Sequence, residues 1–119
     1  MVVAAHGSRA EGANVAHCEV VDALGASVAH RVTPAFLELA EPSIPDAIDA
    51  AAASGAAAVL VLPYFLHPGR HLSDDLPAIV SEASARHPRT SIRLLGSFGA
   101  EPGLGEVLVG QVRRAVGDL

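Results

Sequence analysis

Lysine and tryptophan are absent from the 119-residue sequence, and aromatic residues make up only 3% of it. Without lysine there is no Schiff-base chemistry and no phosphate loop of the Gly-x-x-x-x-Gly-Lys type. So few aromatics cannot form a platform for stacked bases, and a large flat ligand would have to lie on aliphatic side chains and backbone. The single cysteine, Cys18, excludes an internal disulfide and a thiolate zinc cluster. It falls on a helix face and reads as a small buried apolar residue. Positive charge is also scarce: eight basic against thirteen acidic residues give a net charge of −5. Arg9, Arg70, Arg86, Arg89 and Arg93 are scattered along the chain, whereas a general binder of nucleic acid or anionic membrane shows a basic patch. No apolar run approaches the roughly 18 residues of a membrane span, and the opening residues lack a signal-peptide layout. A soluble, cytoplasmic protein that engages neither nucleic acid nor membrane is expected.

What the chain does have is hydrophobicity, at 50% of its residues, and six histidines. Its length suits one domain with a real core. Val2 to Ala5 is a short apolar run ended by His6-Gly7-Ser8, the mark of a buried strand. Ala13, Ala16, Val20 and Leu24 then follow helical spacing, with Gly25 as the expected stop. Residues 28–37 read as a second strand, and Pro34 assigns it to a sheet edge or a bulge. Glu38 stands at its end. Ser43 with Asp46 three residues on has the form of a helix N-cap, and Ile44, Ala47, Ile48 and Ala51 supply that helix's apolar stripe. Residues 57–62 are apolar on both faces, as a strand in a covered parallel sheet is. Leu76, Ile79, Val80 and Ala83 mark a third helix and Ile92 to Leu95 a fourth strand. Leu104, Val107, Leu108 and Val112 mark a last helix.

Strand and helix thus alternate four times. That order implies an α/β fold: an open four-stranded parallel sheet with helices on both faces, a three-layer, flavodoxin-like arrangement spanning residues 1–119 as one unit. Ligands of such sheets bind beyond the carboxyl ends of the strands, where the strand order switches. His6 ends the first strand and Glu38 the second, His67 and His71 follow the third, and Ser97 follows the fourth. Imidazoles and a carboxylate gathered on one rim suit a divalent transition metal, and equally suit proton transfer near neutral pH. His17, His30 and His87 read as surface or structural residues. Gly7-Ser8-Arg9 does not form a nucleophile elbow, which requires Gly-x-Ser-x-Gly.

Three blocks carry a resemblance. They are His6-Gly7-Ser8-Arg9; Phe36-Leu37-Glu38-Leu39-Ala40-Glu41-Pro42-Ser43-Ile44; and Pro63-Tyr64-Phe65-Leu66-His67-Pro68-Gly69-Arg70-His71 with Asp75-Leu76-Pro77. In this order and spacing the sequence resembles the class II chelatases of the CbiX/SirB type, over nearly the whole chain as one lobe. The resemblance implies insertion of cobalt(II) or iron(II) into the tetrapyrrole sirohydrochlorin, for cobalamin or sirohaem synthesis. It implies His6, Glu38 and His71 as metal ligands and catalytic residues, with a neutral imidazole taking a pyrrole proton. Ser8, Arg9 and Arg70 are the expected contacts for the substrate's carboxylates, arginine being suited to paired hydrogen bonds. No permanently bound cofactor is expected, since the divalent metal is itself a substrate. Relatives often carry glycine before the first histidine, where this chain has Ala5, and an apolar residue at the position of His67, which reads as a partly exposed loop histidine. A tetrapyrrole needs two walls, so one lobe implies a homodimer; one lobe of a longer protein is the alternative. A carrier that binds metal or tetrapyrrole without turnover would show the same ligands.

Overall fold

The structure, a computed structural model, describes residues 1–118; of His71 it describes the backbone but not the side chain. The order is β1 (Val2–Ala5), α1 (Glu11–Ser27), β2 (Thr33–Phe36), α2 (Ile44–Ala53), β3 (Ala58–Pro63), α3 (Leu76–Arg86), β4 (Ser91–Leu94) and α4 (Leu104–Gly117). A π-helical turn, His71–Asp75, leads into α3, and a 3₁₀ turn, Phe98–Ala100, precedes α4. The four strands form one parallel sheet in the order β2-β1-β3-β4. The chain moves one way from β1 to β2 and then crosses back over β1 to β3, so the switch in strand order lies between β1 and β3.

Alternation along the strands sorts the residues between two faces. Val2, Ala4, Ala35, Val59 and Val61 point to one side and are buried. They pack there with Ile44, Ala47 and Ile48 of α2 and Leu76, Val80 and Ala83 of α3 in a single cluster. Helix α2 begins as its sequence dictates: the Ser43 hydroxyl accepts the Asp46 N–H at 3.2 Å, and Pro45 sits in the first turn, where its missing N–H costs nothing. Pro34 is tolerated because β2 is an edge strand. Thr33 and Leu37 point their N–H groups at β1, while position 34 faces outward.

Three expectations are corrected. Strand β2 is confined to Thr33–Phe36 instead of running over 28–37. Helix α1 passes through Gly25 to Ser27, and it is turned so that His17 and Val21 face the sheet while Ala13, Ala16 and Val20 are exposed. A histidine can lie inward there because its Nε2–H donates to the Val3 carbonyl at 3.0 Å and its ring meets Phe36 edge-on. Helix α4 has the predicted position and periodicity, yet none of its residues is buried.

On the outside of the α2–α3 layer, Asp49 accepts hydrogen bonds from His87 Nε2 at 2.6 Å and Arg86 Nη2 at 2.9 Å, which clips the two helices together. Desolvation pushes the Asp49 carboxyl upward, but the His87 and Arg86 hydrogen bonds and charges outweigh it and hold the group below its ordinary value of 3.8. A depressed carboxyl stabilises the fold above its unfolded pKa and loses that contribution as the pH falls through its folded value. The pair is half exposed, so the contribution is at most about 1 kcal/mol. Asp49→Asn is therefore expected to lower the urea midpoint slightly at neutral pH, and the difference from wild type is expected to vanish in strong acid.

Candidate active site

The first two predicted residues are brought together by backbone. Beyond the end of β1 the ladder continues: Leu37 donates its N–H to the Ala5 carbonyl at 2.9 Å and Glu38 to the His6 carbonyl at 3.0 Å. Gly7 makes this approach possible. It has φ of +92°, and a Cβ there would overlap the Glu38 carbonyl, so only glycine fits. Leu39 then takes a left-handed φ of 65°, uncommon for a side chain with a Cβ, and the chain turns back so that the Pro42 carbonyl accepts the Phe36 N–H.

His6 Nε2 lies 3.5 Å from Glu38 Oε1, with the two side chains 41% and 53% exposed. On its other side His6 Nδ1 is 3.0 Å from the Gly7 carbonyl. A carbonyl can only accept, so Nδ1 carries a proton, and Nε2, which faces the carboxylate, either donates a second proton to it or offers a lone pair to a cation that both share. Ligands at about 2.0–2.2 Å from one tetrahedral ion stand about 3.4 Å apart, which matches this separation. Among the described residues no group of three His, Cys, Asp or Glu side chains forms a metal cluster. The third predicted ligand, His71, opens the π-helical turn after β3, and its side chain lies outside the described residues.

Ser8 is largely occupied in shaping its own loop. Its hydroxyl accepts the Ala10 N–H at 3.0 Å, and its backbone is held at both ends by the Asn14 side chain, at 2.9 and 2.8 Å. Asn14 is a residue the sequence did not single out, because a polar side chain one turn into a helix carries no mark of its partner. Arg9 is exposed and borders a hollow of about 500 Å³ with Ser8, Leu39 and Glu41. Arg70 is exposed in the loop after β3, as is His67. Ser97 ties that loop down by donating to the Phe65 carbonyl at 2.8 Å. Tyr64 and Phe98 meet at the same end of the sheet, ring centroids 5.1 Å apart.

Sheet and switch point together define an open parallel α/β protein, and at the carboxyl ends of its strands, where ligands of such sheets bind, an imidazole and a carboxylate stand side by side. The chain belongs to the CbiX family, whose model matches residues 1–115. It is 34% identical over 100 residues to the chloroplastic sirohydrochlorin ferrochelatase of Arabidopsis thaliana, covering 83% of this chain and 44% of that one. It is 27% identical to the sirohydrochlorin cobaltochelatase of Methanothermobacter thermautotrophicus, covering 98% of this chain and 92% of that one. It thus spans less than half the length of the plant relative and nearly all of the archaeal one. A crystal structure of a CbiX protein from Marinobacter aquaeolei VT8 superposes with a TM-score of 0.85 at 30% identity, covering 99% of this chain and 97% of that one.

Replacing Gly7 tests the geometry. Gly7→Ala is expected to cost about 1–3 kcal/mol from the positive φ alone, and to weaken cobalt(II) binding because His6 and Glu38 move apart. Urea unfolding and a cobalt(II) titration measure the two effects.

Proposed function

We propose that the chain inserts a divalent metal, cobalt(II) or iron(II), into sirohydrochlorin. The observation that carries this reading is the His6 Nε2–Glu38 Oε1 pair at 3.5 Å on the rim. The names borne by the curated relatives support it. In this reading His6 and Glu38 hold the incoming metal as substrate, with His71, from the turn that leads into α3, as third ligand. Neutral imidazole and carboxylate are borderline-to-hard donors suited to either metal, which leaves metal supply to decide between them.

Insertion releases two pyrrole protons. As the metal passes from the imidazole to the macrocycle, His6 Nε2 is left as a base beside the nitrogen being deprotonated, and Glu38 is the second acceptor on the rim. Ser8, Arg9 and Arg70 contact the substrate's carboxylates; Arg9 and Arg70 are exposed to do so. Residues 1–119 act as one lobe, and a second copy supplies the other wall for a planar substrate, so the working unit is a homodimer. Among the described residues no helix is long and apolar enough to cross a membrane.

Anaerobic cobalt(II) insertion, followed by the change in the tetrapyrrole visible spectrum with substrate in excess, tests the reading. The rate is expected to fall about 100-fold or more in His6→Ala, and to fall also in Glu38→Gln. Rates equal to wild type would remove the assignment, and a single turnover in wild type would make the chain a carrier.

A further inference from the structure

The chain has three phenylalanines, one tyrosine and no tryptophan. So few aromatics argue against a stacking platform only if they are dispersed, and all four stand at the carboxyl ends of the strands. Phe36 closes β2, Tyr64 and Phe65 directly follow β3, and Phe98 opens the turn after β4. Phe36 is buried, and Phe65 packs half-buried against the core. Tyr64 and Phe98 remain 37% and 36% exposed. Their ring centroids are 5.1 Å apart with the planes tilted by 39°, and Tyr64 rests on the inward-facing His17 ring at 5.7 Å. Three rings form a series from the buried His17 outward to solvent. Leu66, 57% exposed, adds apolar surface in the same loop as Tyr64.

Main chain holds this pair in place, as it does His6 and Glu38. Gly99 donates its N–H to the Phe65 carbonyl at 2.9 Å, and the Ser97 hydroxyl donates to the same oxygen at 2.8 Å. A Cβ at Gly99 would overlap the Leu66 carbonyl, so the loop after β4 meets the loop after β3 only through glycine. Tyr64 in turn donates its N–H to the Ala4 carbonyl at 2.8 Å. That bond sets it beside the end of β1, on the side away from Glu38, because β1 lies between β2 and β3. Tyr64 shares a hollow of about 320 Å³ with Gly7 and Ser8 of the His6 loop. In strand order the carboxyl edge carries Glu38, His6, Tyr64 and Phe98. The switch between β1 and β3, where ligands of such sheets bind, falls between the first two and the last two.

Resting on the metal-insertion reading above, we infer that Tyr64 and Phe98 form the surface on which the conjugated ring system of the substrate lies, and that they position it beside His6 and Glu38. In that reading His6, Glu38 and His71 serve the metal, and Ser8, Arg9 and Arg70 serve the carboxylates, which leaves the macrocycle itself without a surface. A flat conjugated ring gains from stacking on an aromatic face beyond the area it buries. Tyrosine and phenylalanine present such a face at low entropic cost, having only two side-chain torsions each. Both are already braced, Tyr64 by His17 and Phe98 by Tyr64, so little ordering is left for the moment of binding. The edge thus divides its work: the loops after β1 and β2 take the metal, the loops after β3 and β4 take the ring, and the crevice between them is where the two meet.

Anaerobic titration of the full chain with metal-free sirohydrochlorin, followed by visible absorbance, tests the assignment, with a cobalt(II) titration in the absence of tetrapyrrole beside it. Phe98→Leu keeps an apolar side chain and removes the ring. It is expected to weaken sirohydrochlorin binding about tenfold and to raise KM with kcat little changed, while cobalt(II) affinity stays at the wild-type value. Phe98→Trp restores an aromatic face and is expected to bind sirohydrochlorin nearly as wild type does. Wild-type binding in Phe98→Leu, or a Phe98→Trp variant that binds no better than Phe98→Leu, would overturn the inference and leave metal insertion standing. Joint loss of cobalt(II) and sirohydrochlorin affinity in Phe98→Leu would also overturn it, by showing that Phe98 only braces the rim. Failure of the wild type to bind sirohydrochlorin would overturn both this inference and the proposed function.

Discussion

The site rests on main-chain hydrogen bonding just beyond two neighbouring strands. Past the end of β1 the His6 carbonyl still accepts the Glu38 N–H, and Gly7, lacking a Cβ, lets the two loops meet. That contact is what brings an imidazole and a carboxylate to 3.5 Å. The pair's own attraction is too weak to do so, because half-exposed ion pairs contribute at most about 1 kcal/mol. Order therefore runs from the buried sheet outward. Val2, Val3 and Ala4 fix β1, the ladder extends it, and the His6 and Glu38 side chains are presented to solvent on a frame they do not maintain.

Exposure has a chemical consequence. A metal handed on to another molecule must be held by enough donors to be captured and by few enough to be released. Two side chains of opposite character on an open rim, with Nδ1 of His6 placed on the Gly7 carbonyl, set Nε2 and one carboxylate oxygen side by side. The turn that opens at His71 enters α3 as a π-helix, a form found frequently at functional sites. A flat substrate covers only one side of such a rim, which connects the chemistry to the question of what stands opposite.

Much of this was legible in the sequence, and for physical reasons. The run Val2-Val3-Ala4-Ala5 stopped by His6-Gly7 read as a buried strand with polar residues at its end, and Ser43 announced a helix start that the structure shows, its hydroxyl accepting the Asp46 N–H. What could not be read were relations between elements. Helix α1 is rich in small apolar residues on several sides, so periodicity did not decide its buried face; the choice fell to His17, whose Nε2–H donates to the Val3 carbonyl while Nδ1 is buried among the described residues with no hydrogen-bond partner. Helix α4 shows the opposite case. Its stripe was visible, but a stripe says which face is apolar and not what covers it. The contact of Gly7 with Glu38 was equally hidden, since thirty residues separate them and neither type marks the other.

A crystal exposed to cobalt(II) and measured at the cobalt absorption edge puts the central claim to its most direct test. An anomalous peak between His6 Nε2 and Glu38 Oε1, lost in Glu38→Gln, is the result expected. A peak elsewhere, for instance at the His87–Asp49 pair that the chain already closes with a hydrogen bond, with none at His6, would contradict it.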